Sequence, residues 1–216
     1  LVGSEMCIRD RIIILFLSIK PLHSAEMTDP IKVDWSFKGL TGTFDRASLQ
    51  RGFQVYKEVC SSCHSMQYLS YRNLGESGGP EFTEAEVKAI AASFEVTDGP
   101  DSQGEMFTRP GRPSDMFVSP HPNKEAAAAA NGGAYPPDMS VLVKARKGGA
   151  NYIYSVLVGY EDPPPGVTLD QGVYYNKYMI GNKIKMPNNL EDGLIEYADG
   201  TAVSYTHLRA HETRYH

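Results

Sequence analysis

The chain has 216 residues, 21 basic against 26 acidic side chains, and a net charge of −5. That length supports one domain with a real core plus extensions, and the acidic balance argues against nucleic acid as a partner. No apolar run reaches the ~18 residues of a membrane-spanning helix.

The chain opens with "LVGSEMCIRD", residues 1–10, and closes with "VSYTHLRAHETRYH", residues 203–216. Both resemble translated sequencing-adapter read-through and are expected to be non-native. His207 and His211, an i, i+4 pair that would look like a metal site on a helix, are set aside with them. So is Cys7, which leaves Cys60 and Cys63 as the cysteine pair. The two ends hold equal numbers of basic and acidic residues, so the remainder keeps the charge of −5. Next, "IIILFLSI" has the size of the apolar region of a secretory signal, and residues 11–25 are expected to be its remnant. Residues 26–202 then form the functional domain.

Within that domain "DRASLQRGFQVYKEVC" predicts a helix capped by Asp45, with Leu49, Phe53 and Tyr56 on one apolar face. It delivers Cys60 at its C-terminal end. Thr83 and Glu86 predict a capping box ahead of the stripe Val87, Ile90, Ala91 and Phe94. Residues 98–122 are rich in Gly and Pro and predict a long irregular, functional connection. "NKEAAAAANGG" predicts a helix capped by Asn123 and ended by Asn131, Gly132 and Gly133. "SVLVKARKGG" predicts a helix stopped at Gly148, and "NYIYSVLVGY" another with Ile153, Val156, Leu157 and Tyr160 on one face. The expectation is a mainly α chain with long irregular loops and no run of strands.

The chemistry centres on "VCSSCH", Val59 to His64. C-x-x-C-H is the attachment signature of a c-type haem. Each cysteine can add across a porphyrin vinyl group, and the adjacent histidine is then held under the ring to bind iron. A zinc site would need four ligands, with His23 and His121 as the other histidine donors. A thioredoxin-like reading would need a βαβ context, which the pattern lacks. A sixth iron ligand could come from His121, whose ordinary reading is a solvated loop histidine, or from Met106, Met116, Met139, Met179 or Met186. Met66 is too close to His64 to reach the opposite ring face. Met186 stands out because Pro187 biases it to an extended backbone.

Beyond the haem motif, "RGFQVYKEVCSSCHSMQYLSYRNL", "DGPDSQGEMFTRPGRPSD", "AANGGAYPPDMS", "KARKGGANYIYSVLVGYEDPPPGV", "YYNKYMIGNKIKMP" and "EYADGT" occur in that order. Together they resemble the cytochrome c1 family, the haem subunits of ubiquinol:cytochrome c oxidoreductase. The resemblance covers residues 35–202 and implies a class I cytochrome c-like haem domain with long irregular loop insertions. It implies one haem c linked at Cys60 and Cys63, with His64 and Met186 as axial ligands of the iron. It also places Arg146 and Tyr152 at a haem propionate, and Asn131, Pro136 and Pro137 along the pocket. The implied partners are cytochrome b, a Rieske iron–sulfur protein and a soluble cytochrome c acceptor. A C-terminal membrane anchor is expected beyond residue 202. The expected location is the periplasmic face of a bacterial inner membrane, favoured by the short export signal over the mitochondrial intermembrane-space face.

Two departures from the family pattern touch the ligand loop: "MPNNL" replaces a proline-rich run, and "YMIGN" replaces an aromatic-Pro-Gly turn. Lys183 and Lys185 flank Met186, and either is a candidate replacement ligand at alkaline pH. Glu76, Glu81, Glu84, Glu86, Glu95, Asp98, Asp101 and Glu105 against Lys88 suggest an acidic docking face. A free periplasmic cytochrome serving another redox system, or a haem enzyme with an open distal position, are the alternative functions.

Overall fold

Helix α1, Arg46–Glu58, is the element around which the domain packs, and its start follows from the sequence. The Asp45 side chain accepts from the Ser48 amide at 2.7 Å, satisfying one of the orphan donors of the first turn. Leu49, Phe53 and Tyr56 are all buried, as the periodicity predicts. The computed structural model describes residues 28–191, 193–197 and 200–201. The segments 1–10, 11–25 and 203–216, with His23, His207 and His211, lie outside the described residues.

Among the described residues four further α-helices follow: α2 Glu84–Ala92, α3 Lys124–Ala130, α4 Leu142–Ala145 and α5 Gly149–Val158. Short 3-10 turns cover Cys60–Ser62, Tyr71–Gly75 and Ile180–Asn182. The chain is therefore mainly α. Thr83 and Glu86 form the expected capping box on α2, and Asn123 caps α3 through the Ala126 amide at 2.8 Å.

One core cluster joins Phe53 and Tyr56 of α1 to Met66, Tyr71, Leu74, Phe117 and Met139, with Val87 and Ala91 of α2 closing it. Its aromatic rings pack edge-to-face or tilted, with Tyr71 and Phe117 centroids 4.5 Å apart. Burying each such ring stabilises the fold by roughly 1.5–3 kcal/mol. Val55 faces another way, into a second cluster with Leu190, Ile195 and Tyr197. Cys60 packs against both clusters, so the helix end that carries it is fixed from two sides. The segment before α1 is pinned to α5 instead: Ile31 donates to Ser155 Oγ, while the Val33 amide and Trp35 Nε1 both donate to Asn151 Oδ1.

Three expectations are corrected. The Gly/Pro-rich connection begins with order, because β1 Glu95–Asp98 pairs antiparallel with β2 Phe107–Pro110. Arg109 holds that ribbon by reaching Asp98 and, through both terminal nitrogens, Asp115; side-chain hydrogen bonds from Arg109 lower the Asp115 carboxyl to about 2. A second ribbon pairs β3 Tyr174–Tyr175 with β4 Lys183–Ile184.

The predicted helix ending at Gly148 shrinks to the four residues of α4. Its N-cap position is Val141, whose apolar side chain cannot accept from the first turn, and Arg146 is already extended. Finally, Tyr160 falls beyond α5, where it bridges to Asn176. The chain turns at Gly159, where an added Cβ would sit 2.7 Å from the Ser155 carbonyl oxygen and collide with the Tyr178 ring.

Candidate functional site

The hexapeptide motif follows α1 as a tight turn. The Cys63 and His64 amides both donate to the Cys60 carbonyl, at 3.1 and 2.9 Å. Cys60 and Cys63 are both half-buried. The Tyr56 hydroxyl, one turn back on α1, donates to the His64 carbonyl at 3.3 Å. Among the described residues no three His, Cys, Asp or Glu side chains converge as a metal-binding group, so Cys60, Cys63 and His64 do not form a zinc-type cluster.

The His64 ring is set from a distant segment. Its Nδ1 lies 2.8 Å from the Pro137 carbonyl oxygen, which can only accept, so Nδ1 carries the proton and Nε2 keeps its lone pair. Burial lowers the His64 pKa, outweighing the Pro137 hydrogen bond and the Asp138 charge, which raise it. The imidazole is thus held neutral, in the form that binds a metal, with the ring orientation fixed from behind.

Pro137 in turn belongs to a stretch laced to the chain after His64. Asp138 Oδ2 accepts from Ser65 Oγ at 2.8 Å and from the Gln67 amide at 2.9 Å. Its Oδ1 accepts from the Ser140 amide at 2.8 Å. The Met139 amide donates to the Ser65 carbonyl at 2.8 Å. Burial pushes the Asp138 carboxyl up, but hydrogen bonds from Ser140, Gln67 and Ser65 together outweigh it and hold the pKa below its ordinary value.

The expected pocket residues take varied places. Pro136 lines a cavity of about 290 Å³ together with Cys63, His121, Lys124 and Tyr135. His121 is not the solvated loop histidine expected from sequence: its Nε2 is buried there without a hydrogen-bond partner among the described residues. Asn131 turns its side-chain amide to the Ala127 carbonyl at 2.8 Å and so ends α3. Arg146 is exposed and makes no side-chain hydrogen bond among the described residues. Among the described residues the Tyr152 hydroxyl meets only the Met179 sulfur, at 3.3 Å. Another cavity, of about 210 Å³, lies in the core beneath Phe44 and Leu49 and carries no titratable side chain.

Among the candidate sixth ligands, Met139 is buried in the core, while Met106 and Met116 are 60% and 49% exposed. Met66 is fully buried in the same core. Met186 is half-buried on the loop after β4. The Tyr160 hydroxyl donates to its carbonyl at 2.9 Å, and neighbouring Lys185 Nζ donates to the Gly132 carbonyl at 2.6 Å. Lys183 Nζ donates to the Thr168 carbonyl at 3.3 Å. The roles of Tyr56, Asp138 and Tyr160 were missed by sequence reasoning. The Asp-x-Ser spacing at 138–140 signals a local turn, but nothing local points to Ser65.

The donor set suits a covalently attached haem: two thiols on one turn, and beside them an imidazole with a fixed tautomer and a free nitrogen. The sequence matches the Cytochrome C1 family over residues 35–212, a range that runs past Ala202 beyond the described residues. It is 54% identical over 166 residues to a mitochondrial cytochrome c1 heme protein of Solanum tuberosum, covering 77% of this chain and 63% of that one. A cytochrome c1 of Rhodospirillum rubrum is 50% identical over 189 residues, covering 80% of this chain and 68% of that one. Cytochrome b/c1 of Bradyrhizobium diazoefficiens is 48% identical over 208 residues, covering 87% of this chain and 30% of that one. The chain thus spans less than two thirds of the length of the potato and Bradyrhizobium relatives. Among the described residues no helix is long and apolar enough to cross a membrane. Cytochrome c1 proteins carry a covalently bound haem c, and with this match over most of its length the chain belongs to the cytochrome c1 family.

Proposed function

We propose that this chain is a one-electron relay: the haem subunit of the respiratory quinol-oxidising complex, accepting electrons from a Rieske iron–sulfur protein and passing them to a soluble cytochrome c. The carrying observation is the His64 ring, neutral and held by Pro137 with Nε2 free, directly after the Cys60–Cys63 turn. When bound, the haem supplies a reversible one-electron couple at its iron.

The chain's own residues have separable tasks. Cys60 and Cys63 anchor the group covalently, so it cannot leave in either oxidation state. His64 and Met186 would hold the haem iron, and a methionine ligand would raise its potential. Arg146 and Tyr152 are assigned to a propionate. The support is that Arg146 has no competing side-chain partner among the described residues and that the Tyr152 hydroxyl rests on a sulfur, a weak acceptor. Pro136 and Pro137 wall the pocket. Asn131 shapes it indirectly, by ending α3 before the turn that leads to them.

Cytochrome b is a further partner in this reading, consistent with the name of the Bradyrhizobium relative. Residues 26–202 are the haem domain, residues 11–25 an export signal, and the location is the periplasmic face of the inner membrane.

The acidic stretch supports docking of a basic acceptor only in part. Glu84 pairs with Lys88 and Asp98 with Arg109. Glu76, Glu81, Glu86 and Asp101 accept local hydrogen bonds. Glu95 and Glu105 have no side-chain partner among the described residues, so they are the carboxylates most available to steer a partner.

The test is the ferric near-infrared sulfur-to-iron charge-transfer band, recorded for the haem-loaded full chain and for Met186→Leu. Loss of the band in the variant alone is expected. A parent without the band, or ferrous parent that binds carbon monoxide readily, would defeat the relay and favour an enzyme with an open position.

A further inference from the structure

Lys185 stands beside the candidate distal ligand, and its bond reaches the segment that leads to Pro137. Its Nζ donates to the Gly132 carbonyl at 2.6 Å, a contact that joins positions 53 residues apart. Gly132 and Gly133 both adopt left-handed backbone, with φ of 60° and 83°. This double turn, which side chains other than glycine rarely take, ends α3 through a bond of 2.7 Å from the Gly133 amide to the Ala128 carbonyl. It leaves the Gly132 carbonyl at a helix C-terminus, where a cation is favoured. The same segment runs on to Pro137, whose carbonyl fixes His64 at 2.8 Å. One short stretch of backbone, residues 132–137, therefore touches both ligand-bearing segments.

Tyr160 holds the other side of the loop by donating to the Met186 carbonyl at 2.9 Å. Lys183 carries the same charge two positions earlier, but it bonds to Thr168 at 3.3 Å and does not reach residues 132–137.

The geometry points to Lys185 as a positioning residue that ties the Met186 loop to the segment orienting His64, and so keeps the thioether on the iron. This rests on Met186 being the distal ligand. A thioether is a weak neutral donor, so its residence on iron depends on how firmly the loop presents it. Lys185 is exposed, so solvent screens its charge, and losing its hydrogen bond shifts such an equilibrium by roughly three- to tenfold.

Imidazole added to the ferric haem-loaded full chain competes with the thioether, and loss of the charge-transfer band reports its binding. Lys185→Ala is expected to bind imidazole roughly three- to tenfold more tightly than the parent. Lys185→Arg, which can still donate to Gly132, and Lys183→Ala, which loses the same charge, are expected to stay within about twofold. Equal affinities for Lys185→Ala and the parent would overturn the inference, as would an equal gain in Lys183→Ala, which would assign the effect to charge. If Met186→Leu keeps the parent's band, the ligand assignment itself fails, and the role of Lys185 falls with it.

Discussion

Replacing Asp138 with asparagine removes the charge that laces the two sides of the proximal loop together while keeping the side chain's shape. The carboxylate accepts from Ser65 Oγ, the Gln67 amide and the Ser140 amide, at 2.8, 2.9 and 2.8 Å. An asparagine has one acceptor oxygen. If it keeps the Ser65 and Gln67 bonds, its amide nitrogen faces the Ser140 N–H, donor against donor. One charge-assisted bond is then lost and two become neutral. Bonds to a charged group contribute ~1.5–3 kcal/mol and neutral ones ~0.5–1.5 kcal/mol; with Gln67 exposed and Asp138 half-buried, the net cost is about 2–3 kcal/mol. For a domain of this size that lowers Tm by roughly 5–10 °C.

The pH dependence has a definite sign. Because the folded-state pKa of Asp138 lies below its ordinary value of 3.8, its contribution is fully present above 3.8 and is lost as pH falls through the folded value. Denaturant unfolding of parent and Asp138→Asn, followed by far-UV circular dichroism from neutral pH downwards, should show a constant gap that narrows only below pH 3.8. A gap under about 0.5 kcal/mol at neutral pH, the range of an ordinary surface substitution, would refute the reasoning. So would a gap that survives unchanged in acid.

Two further outcomes are expected. Gly159→Ala should destabilise by about 1–3 kcal/mol in thermal unfolding, because the new methyl meets the Tyr178 ring and lies 2.9 Å from Asn176 Oδ1 in a fully buried corner; an unchanged Tm would mean that this corner is looser than drawn. In the double variant Glu95→Gln, Glu105→Gln, the rate of electron transfer to a basic soluble cytochrome c should fall less steeply with added salt, because two unpaired carboxylates no longer steer the encounter. An identical salt slope would remove that face from the docking surface.

What was legible in the sequence shares one property: each feature closes within a few residues. Asp45 reaches Ser48, Thr83 and Glu86 reach each other, and Asn123 reaches Ala126. The spacing of Cys60, Cys63 and His64 is likewise a local requirement, set by one turn of chain. One helix end was misjudged. The helix expected to run on to Gly148 ends at Ala145, where the backbone of Arg146 is already extended. The Arg109 fork onto Asp98 and Asp115 likewise orders a ribbon inside a stretch whose glycines and prolines suggest only a loop.

The sequence alone therefore determined the helical class, the caps and the attachment motif, because their energies come from neighbours along the chain and from periodic burial. Only the tertiary structure decided which carbonyl sets the His64 tautomer and which carboxylate braces that carbonyl, both across 73 residues. It also decided which lysine ties down the Met186 loop, across 53 residues. Each of these is a single polar pairing whose partner is chosen by packing around α1, and a pattern of residue types along the chain does not encode where two distant segments meet.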